Sequence, residues 1–444
     1  MKSLLKKFIP KSALALYHKT LAHTAALWYR HPSNHLVVIG VTGTKGKSTT
    51  VFMIAYLFEQ MGFWVGQMST MQFQVGAKKW LNDTKMTMLG RFRLQRMLRE
   101  MVNAGCQVAV IETSSEGIAQ FRHLGINYDT LVFTNLYPEH IESHGSFEAY
   151  RGAKLSLFTR LSSLPKKSWS DIYGDHKKSG MIPKRIVVNL DDEYARLFQD
   201  AKADEHYGYT FTPTKNDDRI VAVEVKSSGE QITFKARGEK FTLPVMGEVN
   251  AWNAAAAITV GHAFGFTFTD MARALATLPP LPGRFELIQE GQPFHVMVDY
   301  GYDPVAQEKL YETVRILHPA RIIHVTGSAG GGRDRARQPK LGQLAAERAD
   351  IVIVTNEDPY DDDPMEIINT IADAASRAGK VDGKNLFRIL DRREAIQKAV
   401  QLAQADDLVL ITGKGAEQGM MVKGYRKIPW DDRSVAREVL KCGE

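Results

Sequence analysis

The stretch Gly43-Thr44-Lys45-Gly46-Lys47-Ser48-Thr49 decides the fold of this 444-residue chain. It lies between the apolar runs 36–39 and 51–58. That order is typical of a buried strand, a glycine-rich turn and a helix, which is the arrangement of a phosphate-binding loop. The common G-x-x-x-x-G-K-[ST] spacing fails by one residue, because Val41 stands where its first glycine should be. With the strand and the helix both in place, the stretch still predicts an ATP or GTP site.

The residue types of this turn suit phosphate chemistry. Glycines let backbone N–H groups crowd an anion, and the helix N-terminus adds positive potential. Lys47 fits the lysine that reaches the outer phosphates, and Ser48 or Thr49 fits the hydroxyl that meets Mg²⁺. Gly43, Thr44, Lys45 and Gly46 complete the predicted cradle.

The composition predicts a soluble globular protein of a reducing compartment. The chain is 44% hydrophobic and 24% charged, with a net charge of +7. The basic balance favours an anionic small substrate over nucleic acid, because there is no long run of like charge and no basic–aromatic repeat. Cys106 and Cys442 are isolated and lack metal-type spacing, so we expect no disulfide framework and a cytoplasmic location.

Apolar runs after residue 36 alternate with helical patterns, as in a mostly parallel sheet covered by helices. The predicted strands of this first region are 36–39, 108–111, 131–133 and 186–188. Residues 219–245 alternate apolar and polar and predict short antiparallel strands, and 250–264 predicts a helix. We therefore expect an α/β fold with a central P-loop ATPase domain.

A second α/β pattern begins after the conspicuous linker Leu278-Pro279-Pro280-Leu281-Pro282-Gly283. Its predicted strands are 295–298, 322–325, 351–355, 386–390 and 408–411. This pattern predicts a C-terminal Rossmann-like, doubly wound domain. The expected organisation is an N-terminal helical segment at 1–35, a central ATP-binding domain at 36–280 and the C-terminal domain at 281–444.

The N-terminal segment leaves two alternatives open. Residues 1–33 are basic and partly apolar. Lys11 and Lys19 interrupt the apolar pattern, so the segment is too broken for a signal peptide or a spanning helix. A helix here would either pack on the domain behind it or lie amphipathically on a membrane surface. Packing on the domain is the favoured alternative.

Carboxylates and imidazoles follow two of the predicted strands. Glu112 ends the run 108–111, and His140 and His144 follow the run 131–133. Strand ends of a parallel sheet meet at one edge, so these side chains are expected beside the phosphate loop. One or two carboxylates beside nucleotide phosphates are enough for Mg²⁺, whereas a histidine is a less usual ligand for it.

Here the sequence resembles a known family, the Mur ligases, and most of all their MurE-type branch, which adds the third residue to the UDP-N-acetylmuramoyl peptide. The resemblance covers about residues 36–440 and rests on motifs that occur in the family's order. They are the phosphate loop, Glu112-Thr113-Ser114-Ser115, Thr134-Asn135-Leu136 with His140 and His144, Tyr150-Arg151-Gly152-Ala153-Lys154, Asn189-Leu190-Asp191-Asp192, Asn250-Ala251-Trp252-Asn253, Pro282-Gly283-Arg284, Val298-Asp299-Tyr300, Arg333-Asp334-Arg335, Asp358-Pro359, Gly413-Lys414-Gly415 and Asp431-Asp432-Arg433.

The resemblance implies an ATP-dependent, ADP-forming ligase of peptidoglycan precursor synthesis. A substrate carboxylate attacks the γ-phosphate, and an amino group then displaces phosphate from the acyl phosphate. By motif match, Lys47 would hold the outer phosphates, and Ser48, Glu112 and His140 would serve Mg²⁺. Lys154 matches the family's carbamylated lysine, which as a carbamate would help to hold a second Mg²⁺.

The resemblance also implies contacts to the rest of the nucleotide. Asn253 matches an adenine contact, Asp299 a ribose contact, and Arg284 a residue near the nucleotide. Arg333, with Arg335, would bring charge from the last domain onto the phosphates as the domains close. Pairing of both arginines with nearby acids is an equally weighted alternative.

The acceptor side departs from the family. Only 35 residues precede Leu36, below the usual minimum of about 50 for a domain, so the family's UDP-binding first domain is expected to be missing, replaced or supplied by a partner. Thr87, Ser115 and Arg122 match acceptor-binding positions. A lipid-linked or other non-UDP acceptor is therefore an alternative to the muramyl peptide, and peripheral membrane contact would suit the basic N-terminus.

The amino-acid pocket departs as well. Members that add diaminopimelate carry Asp-Asn-Pro-Arg, whereas this chain has Glu357-Asp358-Pro359-Tyr360. Without that arginine, a second carboxylate has no evident bidentate partner. Asp358 and Glu417 predict attraction of a side-chain ammonium, as in lysine or ornithine.

The sequence leaves three candidate functions, in decreasing order of support. The first is a Mur-type ligase acting as a monomer on a muramyl peptide and an amino acid. The second is a relative acting on another carboxylate, such as a polyglutamate-type ligase. The third is a nucleotide-binding partner protein without ligase activity, which the presence of Lys47, Glu112, His140 and Lys154 disfavours.

Overall fold

Two sheets organise the chain in the computed structural model, which describes residues 11–139, 144–173, 180–212, 217–228, 230–332 and 335–442. The first sheet has eleven strands in the order β11-β10-β9-β8-β7-β6-β1-β5-β2-β3-β4. Their bounds are β1 Val37–Thr42, β2 Val65–Met68, β3 Gln72–Val75, β4 Lys78–Leu81, β5 Val108–Glu112, β6 Thr130–Phe133, β7 Arg185–Asn189, β8 Glu205–Thr210, β9 Ile220–Ser228, β10 Ile232–Ala236 and β11 Glu239–Leu243.

The centre of this sheet is parallel and its two margins are antiparallel. The pairs of neighbours from β9 across to β2 are parallel, with Ile39 opposite Val110 and Thr130. The β9–β10–β11 margin and the β2–β3–β4 margin are antiparallel. The antiparallel strands predicted in 219–245 are therefore confirmed.

Helices cover both faces of this sheet. They are α1 Lys11–Trp28, α2 Lys47–Gln60, α3 Arg91–Asn103, α4 Ser115–Ala119, α5 Phe147–Leu161, α6 Trp169–Tyr173, α7 Ala195–Gln199, α8 Val249–Ala263 and α9 Phe268–Leu275, with a 3₁₀ turn at Pro32–His35. Alternate β1 residues face opposite ways: Val37 and Ile39 pack in the core that holds α2 and α8, and Val38 packs in the core that holds α3. A strand buried on both faces reads as a continuous apolar run, which is why the sequence identified it.

The second sheet has six strands in the order β12-β13-β17-β14-β15-β16, and only the β12–β13 pair among them is antiparallel. Their bounds are β12 Glu286–Ile288, β13 His295–Asp299, β14 Ile322–Thr326, β15 Ile351–Thr355, β16 Leu386–Ile389 and β17 Leu408–Thr412. A separate hairpin pairs β18 Met420–Val422 with β19 Arg426–Ile428.

Five helices cover this second sheet: α10 Pro304–Val314, α11 Arg337–Arg348, α12 Pro364–Arg377, α13 Arg392–Leu402 and α14 Asp432–Lys441, with 3₁₀ turns at Arg315–Leu317 and Lys423–Tyr425. One face packs against α10, α11 and α12, and the other against α13 and α14. The predicted α/β fold class, with a P-loop region and a second doubly wound region, is confirmed. The division at residue 280 stays a prediction.

The N-terminal helix α1 packs on the region behind it through one face. Ala22, Ala25 and Ala26 are buried, and Arg91 Nε donates to the His18 carbonyl at 3.1 Å. The favoured alternative of the sequence is confirmed for this face. In the described part of the chain, the helices are too short or too polar to cross a membrane.

Candidate active site

The turn between β1 and α2 has the backbone that the glycines predict. Gly46 has φ +80°, and a Cβ added there would lie 2.4 Å from Asn253 Oδ1. Gly43 leaves still less room, since an added Cβ would lie 1.9 Å from Thr134 Oγ1. The turn is held from the next strand end, where the Thr44 N–H donates to the Asn135 carbonyl at 2.9 Å. The sequence thus builds a cradle that larger residues would fill.

Two lysines, buried Lys154 and half-buried Lys47, donate to carbonyl groups of this turn. Lys47 Nζ donates to the Thr44 carbonyl at 2.8 Å, and Lys154 Nζ donates to the Gly43 carbonyl at 2.6 Å. Burial lowers the pKa of Lys47. Burial, and then the neighbouring charge of Lys47, hold the pKa of Lys154 well below its usual value. Lys47, whose Nζ lies at the turn, is the cation expected to bind a polyanion there.

Oxygen donors lie on the other side of the turn. Ser48 Oγ donates to Glu112 Oε2 at 2.8 Å, and the Thr70 N–H donates to the same oxygen at 2.8 Å. Glu112 is buried at the end of β5, and Thr70 Oγ1 also reaches Thr87 Oγ1 at 2.9 Å. Hydroxyl and carboxylate oxygens are the donors that Mg²⁺ prefers, so this corner fits that ion. Within the described residues, no cluster of three or more His, Cys, Asp or Glu side chains could hold a metal unaided.

Lys45 joins the turn to the second sheet. Its Nζ lies 2.8 Å from Glu139 Oε1 and 2.7 Å from Asp303 Oδ2, and 4.7 Å from the centre of the Tyr302 ring. Burial opposes the charge, but Tyr302, Glu139 and Asp303 outweigh it and raise the pKa of Lys45 well above normal. Lys45 is therefore charged, and its ion pair with Asp303 links the glycine turn to the region of the second sheet.

The acceptor-side residues lie beyond Glu112. His144 Nε2 lies 3.1 Å from Ser115 Oγ, and burial lowers the pKa of this histidine. Arg122 donates to the Met88 carbonyl at 2.5 Å and to Gln120 Oε1 at 2.7 Å, while its buried Nε has no acceptor in the described part of the chain. Thr87 thus lies on the loop after β4, Ser115 begins the helix α4 that follows β5, and Arg122 lies just after that helix.

The expected adenosine contacts come from both sheets. Asn253, on α8, donates to Asn250 Oδ1 at 3.0 Å and lies against the phosphate turn. Asp299, at the end of β13, accepts from the N–H groups of Phe285 and Gly301, and burial raises its pKa. The Arg284 guanidinium lies 4.3 Å from the centre of the Tyr300 ring. These side chains border the gap between the two sheets.

Four charged side chains form a quartet where the sheets meet: Lys85, Asp358, Lys414 and Glu417. Lys85 pairs with Asp358 and lies 3.1 Å from Glu417, whereas Lys414 lies 3.0 Å from Asp358 and 2.7 Å from Glu417. Burial opposes the charge of Asp358, but Lys414 and Lys85 outweigh burial and lower its pKa. The two acids predicted to meet a substrate ammonium thus already have lysine partners, and the quartet is neutral.

Glu357 lies beside this quartet and is 4% exposed. Its Oε2 has no hydrogen-bond partner among the described residues and lies against Gly413, where an added Cβ would be 2.4 Å away. Burial raises the pKa of this carboxyl. A buried oxygen without a donor marks a place where a ligand donor would be stabilised.

Two predicted residues, His140 and Arg333, lie outside the described residues. Arg335 is mostly exposed and lies 3.2 Å from Asp362 Oδ2, which is the acid-paired alternative. Lys85, Asp303 and Tyr150 were missed by the sequence reasoning. Tyr150, whose hydroxyl lies 3.0 Å from Thr44 Oγ1, belongs to the motif that ends at Lys154 and could have been found there. Lys85 had no such signal, because its partners are more than 270 residues away along the chain.

Comparison with known proteins agrees with this geometry. The family profile of the Mur ligase middle domain matches residues 41–261, and that of the Mur ligase glutamate ligase domain matches residues 283–415. A UDP-N-acetylmuramyl-tripeptide synthetase of Roseiflexus sp. is 38% identical over 426 residues, covering 95% of this chain and 81% of that protein. A UDP-N-acetylmuramoyl-L-alanyl-D-glutamate–2,6-diaminopimelate ligase of Solibacter usitatus is 33% identical, covering 95% and 80%.

Solved structures give the same picture at the level of the fold. A UDP-N-acetylmuramoyl-L-alanyl-D-glutamate–2,6-diaminopimelate ligase superposes with a TM-score of 0.58 at 28% identity, covering 92% of this chain and 79% of that one. A folylpolyglutamate synthase of Mycobacterium tuberculosis reaches a TM-score of 0.65 at 18% identity, covering 89% and 92%. The second likeness shows a shared fold alone.

Proposed function

Because this chain belongs to the Mur ligase family, we propose that it adds the third amino acid to a muramyl dipeptide acceptor through an acyl phosphate. Members of the family are ATP-dependent, ADP-forming amide ligases of peptidoglycan precursor synthesis, and this chain is one of them. The proposal adds the acceptor, the amino-acid class and the roles of the residues. The observation that carries it is the convergence of Lys47, Lys154, Ser48 and Glu112 on one glycine turn.

The first step transfers a phosphoryl group. An acceptor carboxylate oxygen attacks the γ-phosphorus of ATP, ADP leaves with the bonding electrons, and an acyl phosphate forms. Lys47 and the N–H groups of the turn bind and orient the phosphates. Mg²⁺, when bound, neutralises charge that develops on the phosphate oxygens. Ser48 and Glu112 are the side chains that would hold it, with Thr49 as the neighbouring hydroxyl and His140 as a further candidate.

The second step forms the amide. The amino nitrogen attacks the carbonyl carbon of the acyl phosphate, and phosphate leaves from the tetrahedral intermediate as the amine loses a proton to the surroundings. Asn253, Asp299 and Arg284 are proposed to hold the adenosine part of the nucleotide, and Arg333 to reach the phosphates. The Lys45 tie to Asp303 supports a closed arrangement that excludes water from the acyl phosphate.

Lys154 is proposed to react with CO₂ rather than to act as a cation. Burial and the neighbouring charge of Lys47 lower its pKa, so more of the amine is in the neutral, nucleophilic form than in an exposed lysine. The nitrogen adds to the carbon of CO₂ and releases a proton, so a carbamate anion replaces an ammonium. A buried anion at this position would then help to hold a second Mg²⁺.

We expect the added amino acid to carry a basic side chain. The position of the family's arginine is Tyr360, so a second substrate carboxylate lacks a bidentate partner there. The unpartnered Glu357 Oε2 would accept a hydrogen bond from a substrate ammonium. Thr87, Ser115 and Arg122 are proposed to contact the acceptor.

The test measures phosphate release with ATP, Mg²⁺, UDP-MurNAc-L-Ala-D-Glu and a panel of amino acids. We expect release that needs both the acceptor and one basic amino acid, and that falls at least about a hundredfold in Lys47→Ala. Lys240→Ala, an exposed lysine on β11, is the matched control and should retain full release. Release without an amino acid, or release unchanged by Lys47→Ala, would contradict the proposal. Activity only with a lipid-linked acceptor would favour the second function.

A further inference from the structure

The helix α1 presents a second apolar face to solvent, opposite the one that packs. Its buried residues, Ala22, Ala25 and Ala26, define the inward side. At 100° per residue, seven exposed residues lie on the outward side, and none of them is charged. They are Ala13, Leu16, Tyr17, Thr20, Thr24, Leu27 and Trp28.

The large side chains of this face are mostly exposed to solvent. Leu16 is 66% exposed, Tyr17 58%, Leu27 68% and Trp28 73%. The solvent side of a surface helix is usually charged or polar, so an uncharged face with four large apolar side chains points to a partner. We call these four residues the outer face of α1.

The helix is held firmly by its other side, so the outer face is not a displaced core face. Arg99 donates from Nε and Nη2 to the Tyr29 carbonyl at 3.0 Å each. Gly125 approaches so closely that an added Cβ would lie 2.8 Å from the Ala26 Cβ. The outer face is thus displayed on a fixed helix.

Basic side chains lie on one flank of α1 and beside its C-terminal end. Lys19 and Arg30 are exposed on and just after α1, and the first acidic residue of the whole chain is Glu59. Beside the end of the helix, Tyr29, Phe92, Arg93 and Arg96 line a depression of about 350 Å³. Arg93 and Arg96 pair with exposed acids, Asp83 at 3.5 Å and Glu100 at 3.2 Å, and such pairs are weak enough to exchange partners.

We propose that the outer face of α1 docks on an anionic membrane surface, with the helix lying in the plane of the headgroups. Tyr and Trp are the aromatic residues that prefer this interface, and Leu16 and Leu27 would enter the acyl boundary. Lys19, Arg30, Arg93 and Arg96 match a uniformly negative plane, whereas a protein partner or a second copy would need acidic groups placed opposite each of them.

Docking would bring the acceptor side of the site towards the lipid. Arg91 bonds to the carbonyls of both His18, on α1, and Gln120. The Gln120 side chain in turn accepts from Arg122 at 2.7 Å. This second part rests on the proposed function, because it uses Arg122 as an acceptor contact, whereas the docking itself does not.

The experiment is co-sedimentation of the full chain with vesicles of equal parts phosphatidylglycerol and phosphatidylcholine, and with phosphatidylcholine alone. We expect binding to the anionic vesicles and weak binding to the neutral vesicles. Binding to the anionic vesicles should be lost in 0.5 M salt, where the Debye length is only about 4 Å. The double variant Tyr17→Ser/Trp28→Ser should bind at least about tenfold more weakly. Trp64→Ser is the matched control, since Trp64 is 53% exposed on another element, and should bind normally.

A charge variant separates the two contributions. Lys19→Gln/Arg30→Gln keeps the outer face intact and should weaken binding to anionic vesicles by about thirtyfold at low salt, at roughly fivefold per cation. No binding of the full chain to anionic vesicles overturns the proposal, as does a double variant that binds like the unchanged chain. A dimer in solution that Tyr17→Ser/Trp28→Ser dissociates would assign the face to a second copy instead.

Folding and activity controls keep these outcomes distinct. The thermal unfolding of each variant should match that of the unchanged chain, since the replaced side chains are exposed. Phosphate release with the soluble acceptor should also be unchanged, because α1 contributes no side chain to the phosphate turn. Loss of docking with retained release would therefore concern the membrane surface and not the proposed ligase reaction.

Discussion

Among single residues, Gly46 carries the sharpest constraint on the phosphate turn. Alanine there must adopt φ +80° and place its Cβ 2.4 Å from Asn253 Oδ1. We expect Gly46→Ala to lose ATP-dependent phosphate release at least tenfold and to destabilise the fold by more than about 1 kcal/mol. Phosphate-release assays and urea unfolding measure the two effects, and ATP titration calorimetry shows whether nucleotide binding is lost.

Gly62 supplies the control for backbone strain. It has φ +85°, but an added Cβ would meet nothing within 4 Å. Gly62→Ala should therefore show the conformational cost of about 1 kcal/mol without loss of ATP binding. Equal loss of ATP binding in both variants would show that strain, and not the contact with Asn253, governs the turn.

Lys154 is a second single residue that leads to a prediction, because its protonation state affects the proposed carbamate. Because burial lowers its pKa, a larger share of the amine is neutral and reactive toward CO₂ than in an exposed lysine. Removal of CO₂ from the buffers should lower amino-acid-dependent phosphate release, and bicarbonate should restore it. Lys154→Arg should be inactive in both buffers, and Lys240→Arg should behave as the unchanged chain does.

Labelling gives the direct test of this carbamate. With ¹³C-bicarbonate, the unchanged chain should show one carbamate carbon signal in its NMR spectrum, and Lys154→Arg should lack it. Activity that ignores bicarbonate, together with no labelled carbamate, would leave Lys154 as a neutral hydrogen-bond donor to the Gly43 carbonyl.

Among the elements, β14 contains a buried histidine that makes stability depend on pH. His324 is fully buried between Tyr311 OH at 2.5 Å and Thr412 Oγ1 at 2.9 Å, and burial lowers its pKa to about 3. The unfolded chain binds a proton near pH 6.5 and the folded chain does not, so stability falls as the pH drops from about 6.5 towards 3. The expected loss from this group between pH 8 and pH 5 is about 2 kcal/mol.

Comparison with a variant isolates this contribution from other titrating groups. His324→Gln keeps a hydrogen-bonding side chain that does not titrate, although it is less stable at pH 8. Urea unfolding at pH 8 and pH 5 should show about 2 kcal/mol less pH dependence in the variant. The same pH dependence in both proteins would mean that His324 is protonated in the folded state.

The elements also show where sequence reasoning works. The central strands β1, β5, β6 and β7 were predicted within a few residues of their ends, because strands buried on both faces are continuous apolar runs. The margin strands β2, β3 and β4 were not predicted, since glutamines interrupt the apolar pattern of β2 and β3 and two lysines begin β4. Gln74 is buried there because its amide donates to Glu59 at 2.6 Å and to the Gly76 carbonyl at 3.0 Å, a compensation that only the fold provides.

For the whole molecule, the limit of sequence reasoning is the pairing of distant charges. The phosphate turn was found because its residues are adjacent in the chain and each has a chemical reason to be there. Asp358 and Glu417 were also found, but as open partners for a substrate ammonium. The structure gives them Lys85 and Lys414, and nothing in the local pattern around Lys85 indicates that it crosses between the sheets.

The charge of this quartet leads to a prediction about amino-acid choice. Lys85→Met changes the net charge of the quartet from zero to −1 in a mostly buried place. Attraction between this negative charge and a substrate ammonium close to it is worth a few kcal/mol before screening. The variant should therefore favour basic over neutral amino acids by about a further tenfold in kcat/KM. The ratio is the measurement, because loss of the tie between the sheets lowers turnover with every amino acid alike.

Lys79→Met is the matched control for Lys85→Met. Lys79 lies on β4 and pairs with Glu59 at 2.7 Å, but its side chain is 43% exposed and the pair joins β4 to α2, which covers the same sheet. Its removal should leave the ratio of kcat/KM values unchanged, since salt and solvent screen the pair. If Lys85→Met left the ratio unchanged as well, or shifted it towards neutral amino acids, the quartet would not form part of the amino-acid pocket, and its lysines would serve only to hold the two sheets together.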